Sequence, residues 1–200
     1  MVLWALALTI GAIGGIATGG SISGLAATRV KAWPLLVAAV AGEACLGAIP
    51  LWSRAAVAVA ACVAVASWCA ANRRPAWPNA SGHAVLGLGV ALNATVMALN
   101  AGMPVSRSAL ASAGLSRTMD PARGDLYKHV AMSSHTRLAV LGDTMPVHFL
   151  RTVISPGDVL MLAGIAAIVW CATKQPGTRA VRLVELASRT PPRPAHLDGP

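Results

Sequence analysis

Long apolar runs are the feature of this chain that most constrains its fold. Five runs contain no Lys or Arg, and each approaches the length that an α-helix needs to cross the hydrocarbon core of a bilayer. Their only acidic side chains are Glu43 and, where the last run begins, Asp158. We therefore expect an all-α polytopic membrane protein with five transmembrane helices. The predicted spans are residues 2–18, 35–51, 55–71, 82–99 and 158–173.

Composition agrees with a membrane location and argues against a large cofactor. The chain is 56% hydrophobic and 12% charged, whereas soluble domains carry about 25% charged residues. It contains one Phe and one Tyr, and flat cofactors bind in pockets lined largely by apolar and aromatic side chains. No haem, flavin or nucleotide is predicted, and we expect no cofactor.

The net charge of +9 is explained by membrane topology and does not predict nucleic-acid binding, because the cations lie between and after the apolar runs instead of along one stripe. Short connections hold Arg29, Lys31, Arg73 and Arg74, and more cations follow in residues 174–200. We interpret residues 174–200 as a disordered cytoplasmic tail. The positive-inside rule then places the N-terminus outside and makes residues 101–157 an outer loop. Membrane lipid and other membrane proteins are the expected partners.

The first run is expected to be a retained helix, because no basic region precedes it as in a secretory signal. Its Gly11, Gly15 and Gly19 form overlapping GxxxG spacings, which allow close helix contact. The alternative is that these glycines only reflect a composition rich in small residues.

No metal site is predicted. His129, His135 and His148 lie in the outer loop at spacings that match no metal motif. The cysteines form no CxxC pair and are interpreted as small apolar residues inside the spans. They are Cys45, Cys62, Cys69 and Cys171.

Glu43 and Asn93 are candidate binding residues. Glu43 is expected near the middle of the second span, where an ionised carboxylate costs about 2.5 kcal/mol or more. One interpretation is a proton or ion site with Asn93 as a polar neighbour. The other is a neutral hydrogen bond between helices.

Asn100 is a further candidate, because it lies seven residues after Asn93 and therefore on the same helix face. It also has a structural role available, as a polar helix terminus before Gly102, which suits a left-handed cap.

Two aspartates are the candidate catalytic residues, and each has an ordinary structural alternative. Asp158 follows Ser155 and Pro156 in the pattern of a capping box, with Pro at the first helical position. Asp143 lies in a segment whose composition is typical of a turn.

The segments Asn100-Ala-Gly-Met-Pro-Val, Leu141-Gly-Asp and Ser155-Pro-Gly-Asp, together with residues 19–25, resemble an uncharacterised bacterial (actinobacterial-type) family of multi-pass membrane proteins. The resemblance covers about residues 1–173. It implies the membrane fold and no established activity.

A fainter resemblance is to lipoprotein signal peptidase, a membrane aspartyl protease. It implies that Asn100, Asp143 and Asp158 occupy the positions of an outer Asn-x-Gly segment and two catalytic aspartates, which would share one proton and activate a water. Two features depart from that family, since no Asn-x-x-Asp-Arg segment precedes Asp143 and five spans replace four.

We therefore interpret the chain as an interaction or sensing component, with intramembrane aspartyl proteolysis as the alternative. The outer loop is expected to fold back onto the helix ends, because so few large apolar side chains cannot form an independent core. Leu126 and Val130, four residues apart, predict a short surface helix within it, with Lys128 and His129 facing water.

Overall fold

The structure is a computed structural model that describes residues 2–28, 30–73, 79–115 and 128–176. Most of these residues are helical. Within the described part the helices are α1 (Val2–Ala17), α2 (Ile22–Ala27), α3 (Trp33–Cys45), α4 (Leu51–Asn72), α5 (Asn79–Asn100), α6 (Arg107–Ser112) and α7 (Pro156–Thr173).

Three of these helices are long and apolar enough to cross a membrane, judged by length and composition alone. They contain the segments Ser53–Asn72, Ser81–Asn100 and Pro156–Thr173. Two further apolar helices, Val2–Ala17 and Trp33–Ala48, are shorter. The described chain is therefore mostly helical, which is the part of the all-α prediction that the structure confirms, whereas the count of five membrane spans stays a prediction.

The second predicted span ends earlier than expected. Helix α3 stops at Cys45, a short 3₁₀ turn covers Leu46–Ala48, and Pro50 precedes α4. Proline fits this position because the first backbone N–H groups of a helix have no intrahelical acceptor, so the missing N–H of proline removes no hydrogen bond. The helices α3 and α4 form an antiparallel hairpin, with a shorter first arm.

The five longer helices pack side by side in the order α3, α4, α5, α7, α1. The helices α3, α4 and α5 pack in the order in which they occur along the chain, whereas α7 lies between α5 and α1. Two groups of buried apolar side chains join α4 to α5. One comprises Trp68, Cys69, Leu86 and Val90, and the other comprises Leu46, Ala58, Val96, Met97 and Met103.

Glycines allow α7 to approach both of its neighbours. A Cβ at Gly164 would lie 2.5 Å from the backbone nitrogen of Leu86 in α5, and one at Gly11 would lie 2.5 Å from the carbonyl oxygen of Ala166 in α7. Gly15 likewise faces Thr173. The GxxxG prediction is confirmed for Gly11 and Gly15. Gly19 lies beyond the helix, with φ of +90°.

The polar segment after α5 contains four three-residue strands, which the all-helical prediction did not include. Strand β1 (Met103–Val105) pairs in parallel with β2 (His129–Ala131), and β3 (Met145–Val147) pairs antiparallel with β4 (Thr152–Ile154). Asp143 adds a parallel bridge to Val105 on the other edge of β1. The described residues of this segment, 103–115 and 128–155, are called the cap below.

The cap lies on the helix ends, as expected. Met103 is 3% exposed and packs among side chains of α4 and α5. The predicted surface helix is wrong in its described part, because His129 and Val130 belong to β2 instead. Leu126 lies outside the described residues, as does the predicted tail beyond residue 176.

Candidate functional site at the cap end of the helices

A ring of hydrogen bonds joins α5 to the start of α7. The Asn93 side-chain nitrogen donates to Asp158 Oδ1 at 2.8 Å, and Ser155 Oγ donates to Asn93 Oδ1 at 3.0 Å. The backbone nitrogen of Ser155 donates to Asp158 Oδ2, while that of Asp158 donates to Ser155 Oγ, both at 3.0 Å. The predicted capping box is therefore present, and Asn93 extends it to the neighbouring helix.

This ring explains the residue types in its sequence. Asp158 accepts hydrogen bonds on both carboxylate oxygens and stands in the first turn of α7, where the helix dipole favours negative charge. Gly157 leaves space for Asn93, since a Cβ there would overlap the amide oxygen. Asn93 and Ser155 are 7% and 0% exposed, so satisfying their polar atoms avoids a large desolvation cost.

Asn100 fastens the end of α5 to the cap. Its side-chain nitrogen donates to the carbonyl oxygens of Val96 and Arg137, and its side-chain oxygen accepts from the backbone nitrogen of Arg137 at 2.8 Å. The left-handed cap predicted at Gly102 lies one residue earlier, at Ala101, with φ of +55°. Gly102 is required for another reason, because a Cβ would lie 2.9 Å from the carbonyl oxygen of Lys128.

Asp143 is hydrogen-bonded through its backbone to one edge of the buried strand β1. Its backbone nitrogen donates to the carbonyl oxygen of Pro104 at 2.8 Å, and its carbonyl accepts from Ser106 at 3.0 Å. The residue is 5% exposed. Its carboxylate Oδ2 lies 3.4 Å from Nε2 of His129 in β2. The Asp143–His129 pair therefore links the two segments that flank β1.

The surroundings of Asp143 change its acidity in opposing directions. Burial is the largest influence and raises the pKa of the carboxyl above its ordinary value of 3.8, because the charged form loses hydration. The hydrogen bond and charge of His129 lower the pKa, the charge of Asp158 raises it, and Lys128 lowers it. The net direction is upward.

Glu43 lies near the end of α3 and not in the middle of a span. It is two residues from Cys45, and its carboxylate forms an ion pair of 2.8 Å with Lys128 of the cap. The expected neighbour Asn93 is engaged elsewhere. The Glu43 and Lys128 side chains are 41% and 29% exposed, so water screens the pair, and exposed pairs contribute little stability.

The candidate residues therefore gather at one end of the helix layer but in separate contacts. Across the described ranges no hydrogen bond joins the carboxylates of Asp143 and Asp158, although the two charges influence each other. No group of three or more His, Cys, Asp or Glu side chains suited to a metal ion occurs among the residues described.

A family model for a family of unknown function, DUF5317, matches residues 29–170, which is well over half of the chain. The chain belongs to this family. No curated protein and no solved structure gave a significant match.

The DUF5317 match spans the whole candidate site. It begins just before α3, includes the cap, and ends within α7. Glu43, Asn93, Asn100, Asp143 and Asp158 all lie inside the matched residues. Helix α1 precedes the matched residues. The DUF5317 match therefore contains α5 and most of α7, but it does not contain the glycines of α1 that pack on the other side of α7.

Sequence reasoning missed His129 and Lys128 as partners of the candidate acids. Local spacing cannot show that Lys128 pairs with Glu43, because 85 residues separate them. One unused signal was the tripeptide Met-Pro-Val, which occurs at residues 103–105 and again at 145–147. Both copies form strands. Pro104 has no N–H to donate, but on the edge of β1 that faces Asp143 only its carbonyl oxygen forms a hydrogen bond, which it accepts from the backbone nitrogen of Asp143.

Proposed function

We propose that this chain is an integral membrane protein of five spans, in which the three long helices are joined by α1 and by α3 with its 3₁₀ turn. The supporting observation is the outward face of these helices. Large apolar side chains there are well exposed, with Ile13 63%, Val40 69% and Val63 56% accessible. Lipid tails would cover them, because exposed apolar areas of this extent are unusual in soluble monomers.

The proposed orientation has the cap outside the cell. Lys31 and Arg73 lie at the ends of α3 and α4 opposite the cap, and short connections rich in Lys and Arg stay in the cytoplasm. The partners in this proposal are membrane lipid and other membrane proteins.

The biochemical role we propose is that of a sensing component whose cap responds to the ionisation of the Asp143–His129 pair. One observation carries this role: a buried carboxylate and a half-buried imidazole connect the two segments on either side of β1. A change of charge in either group alters the contact that holds these segments together. Asp158 in α7 and Lys128, the residue before β2, are the other charged groups that act on Asp143.

Spin-label distances test this role directly. Labels at Val63→Cys in α4 and Ser134→Cys in the cap, in an otherwise cysteine-free chain reconstituted in nanodiscs, would report movement of the cap. We expect the distance distribution to change with pH as Asp143 ionises. The Asp143→Asn and His129→Gln variants should lose the change.

The matched control is His135→Gln, another histidine of the cap, whose side chain is exposed and has no carboxylate partner among the described residues. It should respond to pH as the unmodified chain does. The proposed role would be wrong if the distances in the unmodified chain were the same at every pH, or if His135→Gln removed the response as fully as His129→Gln.

A second function, intramembrane aspartyl proteolysis, is favoured by one observation. Asp143 is buried, its pKa is raised, and the charge of Asp158 contributes to that rise, as expected for two carboxylates near one catalytic water. Against it, both oxygens of Asp158 already accept hydrogen bonds. Incubation with transmembrane substrate peptides distinguishes the two, since a protease would cleave them and Asp143→Asn would abolish cleavage.

A further inference from the structure

Two turns of the cap expose large apolar side chains. Val140 is 74% exposed in the turn Ala139–Leu141, and Leu138 beside it is 46% exposed. Phe149, the single Phe of the chain, is 82% exposed in the turn His148–Leu150. These side chains contribute little to the core, so packing among the described residues does not account for them.

Both turns are tied to the ends of long helices. The first follows Arg137, whose backbone is clamped by Asn100 at the end of α5. The second joins β3 to β4, and β4 leads directly into Ser155, the cap residue of α7. If α5 and α7 cross the bilayer, their ends mark its boundary, and the two turns lie near that boundary.

Basic side chains accompany the apolar ones. Arg137 is exposed next to Leu138. His148, the first residue of the second turn, and Arg151, the residue after that turn, are also exposed. In its described residues the cap has a single acid, Asp143, which is buried. Its cations are Arg107, Lys128, Arg137 and Arg151. Apolar side chains with neighbouring Lys or Arg suit the headgroup region of a membrane that contains anionic lipid.

We propose that these two turns are a lipid-binding surface, with Leu138, Val140 and Phe149 inserted among anionic phospholipid headgroups and Arg137 and Arg151 contacting the phosphates. This proposal rests on the membrane location proposed above. It gives the cap a contact with the bilayer of its own, in addition to the helices that carry it.

Fluorescence quenching in nanodiscs tests the surface. A Phe149→Cys variant in a cysteine-free chain is labelled with an environment-sensitive dye. Quenching is then measured with lipids that carry a spin label either near the headgroup or deep in the acyl chain. We expect blue-shifted emission and quenching by the shallow label. Both should be stronger with phosphatidylglycerol than with phosphatidylcholine alone, and the combined Arg137→Gln and Arg151→Gln changes should remove this dependence on lipid charge.

Two matched positions make the outcome specific. Ser134→Cys is at an exposed position of the same cap, next to the polar residues Ser133 and His135, and should remain unquenched. Val63→Cys in α4 should be quenched by the deep label. An unquenched dye at position 149 together with a quenched dye at position 63 would overturn the lipid-binding surface alone. Failure at position 63 would instead overturn the membrane location. Equal quenching at position 149 in both lipid compositions would overturn the assignment to anionic lipid.

Discussion

Ala101 adopts a backbone conformation that favours glycine. Its φ of +55° ends α5, and the backbone nitrogen of Gly102 then donates to the carbonyl of Met97 at 3.0 Å. This is the bonding pattern of a left-handed helix cap. An L-residue with a side chain pays about 1–2 kcal/mol for this conformation.

The Ala101→Gly change should therefore raise the free energy of unfolding by about 1 kcal/mol. Ala91→Gly is the matched control, because Ala91 is exposed in the interior of the same helix, where glycine costs about 1 kcal/mol. Thermal unfolding in detergent measures both. Destabilisation by both changes would contradict the left-handed conformation at residue 101.

Asp143 should make stability depend on pH. Below its ordinary pKa of 3.8 the carboxyl is protonated in both the folded and the unfolded chain. Above that value the unfolded chain releases the proton first, because the folded-state pKa is raised. The folded chain then holds more protons, so the free energy of unfolding falls as pH rises toward the raised pKa.

Asp143→Asn cannot ionise and should lack this fall. Unfolding curves recorded at successive pH values compare the variant with the unmodified chain, so that titration of other groups cancels in the difference. A difference that does not change with pH would mean that Asp143 titrates alike in both states.

Among the elements, α7 depends most on close approach by glycine. We expect Gly11→Ala to weaken the contact between α1 and α7 and to lower the free energy of unfolding by about 1–3 kcal/mol, the usual cost of overpacking. The reason is that the new methyl group would lie 2.5 Å from the carbonyl of Ala166 and 2.9 Å from Val169.

Gly14→Ala provides the control on the same helix. No heavy atom lies within 4 Å of a Cβ at that position, so the change should be neutral or stabilise by up to about 1 kcal/mol through helix propensity. Equal effects of the two substitutions in thermal unfolding would show that α1 does not pack on α7 through this face.

The sequence predicts those helices and caps that are stabilised by residues close together in the chain. The apolar runs specify helices because every residue of a run contributes to the same pattern, and the capping box is visible because Ser155 and Asp158 are three residues apart. Strand β1 is different. It has three residues, includes Pro104, and pairs with residues around His129 and Asp143, so its stability comes from partners distant in sequence.

The same distinction explains the candidate site. Asn93 and Asp158 were recognisable one by one as polar residues in apolar runs, but their hydrogen bond spans 65 residues. Glu43 was expected deeper because the helix pattern continues past Cys45, and the 3₁₀ turn that shortens α3 leaves no signature in composition.

At the scale of the whole molecule, the proposed orientation predicts different accessibility for the cap, which precedes α7, and for the residues that follow α7. In a cysteine-free chain expressed in intact cells, Ser134→Cys should react with a membrane-impermeant maleimide, whereas Gln175→Cys should react only after permeabilisation. The opposite pattern would invert the orientation. Labelling of both positions from outside would contradict a membrane-spanning α7.

The position of α7 between α5 and α1 has a consequence for biosynthesis. Helix α1 leaves the ribosome first, yet the surface that receives Gly11 and Gly15 is made only when α7 has been translated. Until α7 has been made, the glycine face of α1 lacks the helix on which it packs. The face of α5 that contacts α7 is uncovered for the same time. The layer is completed by its last long helix, so a nascent chain arrested before residue 156 would leave the α7-facing sides of α1 and α5 uncovered.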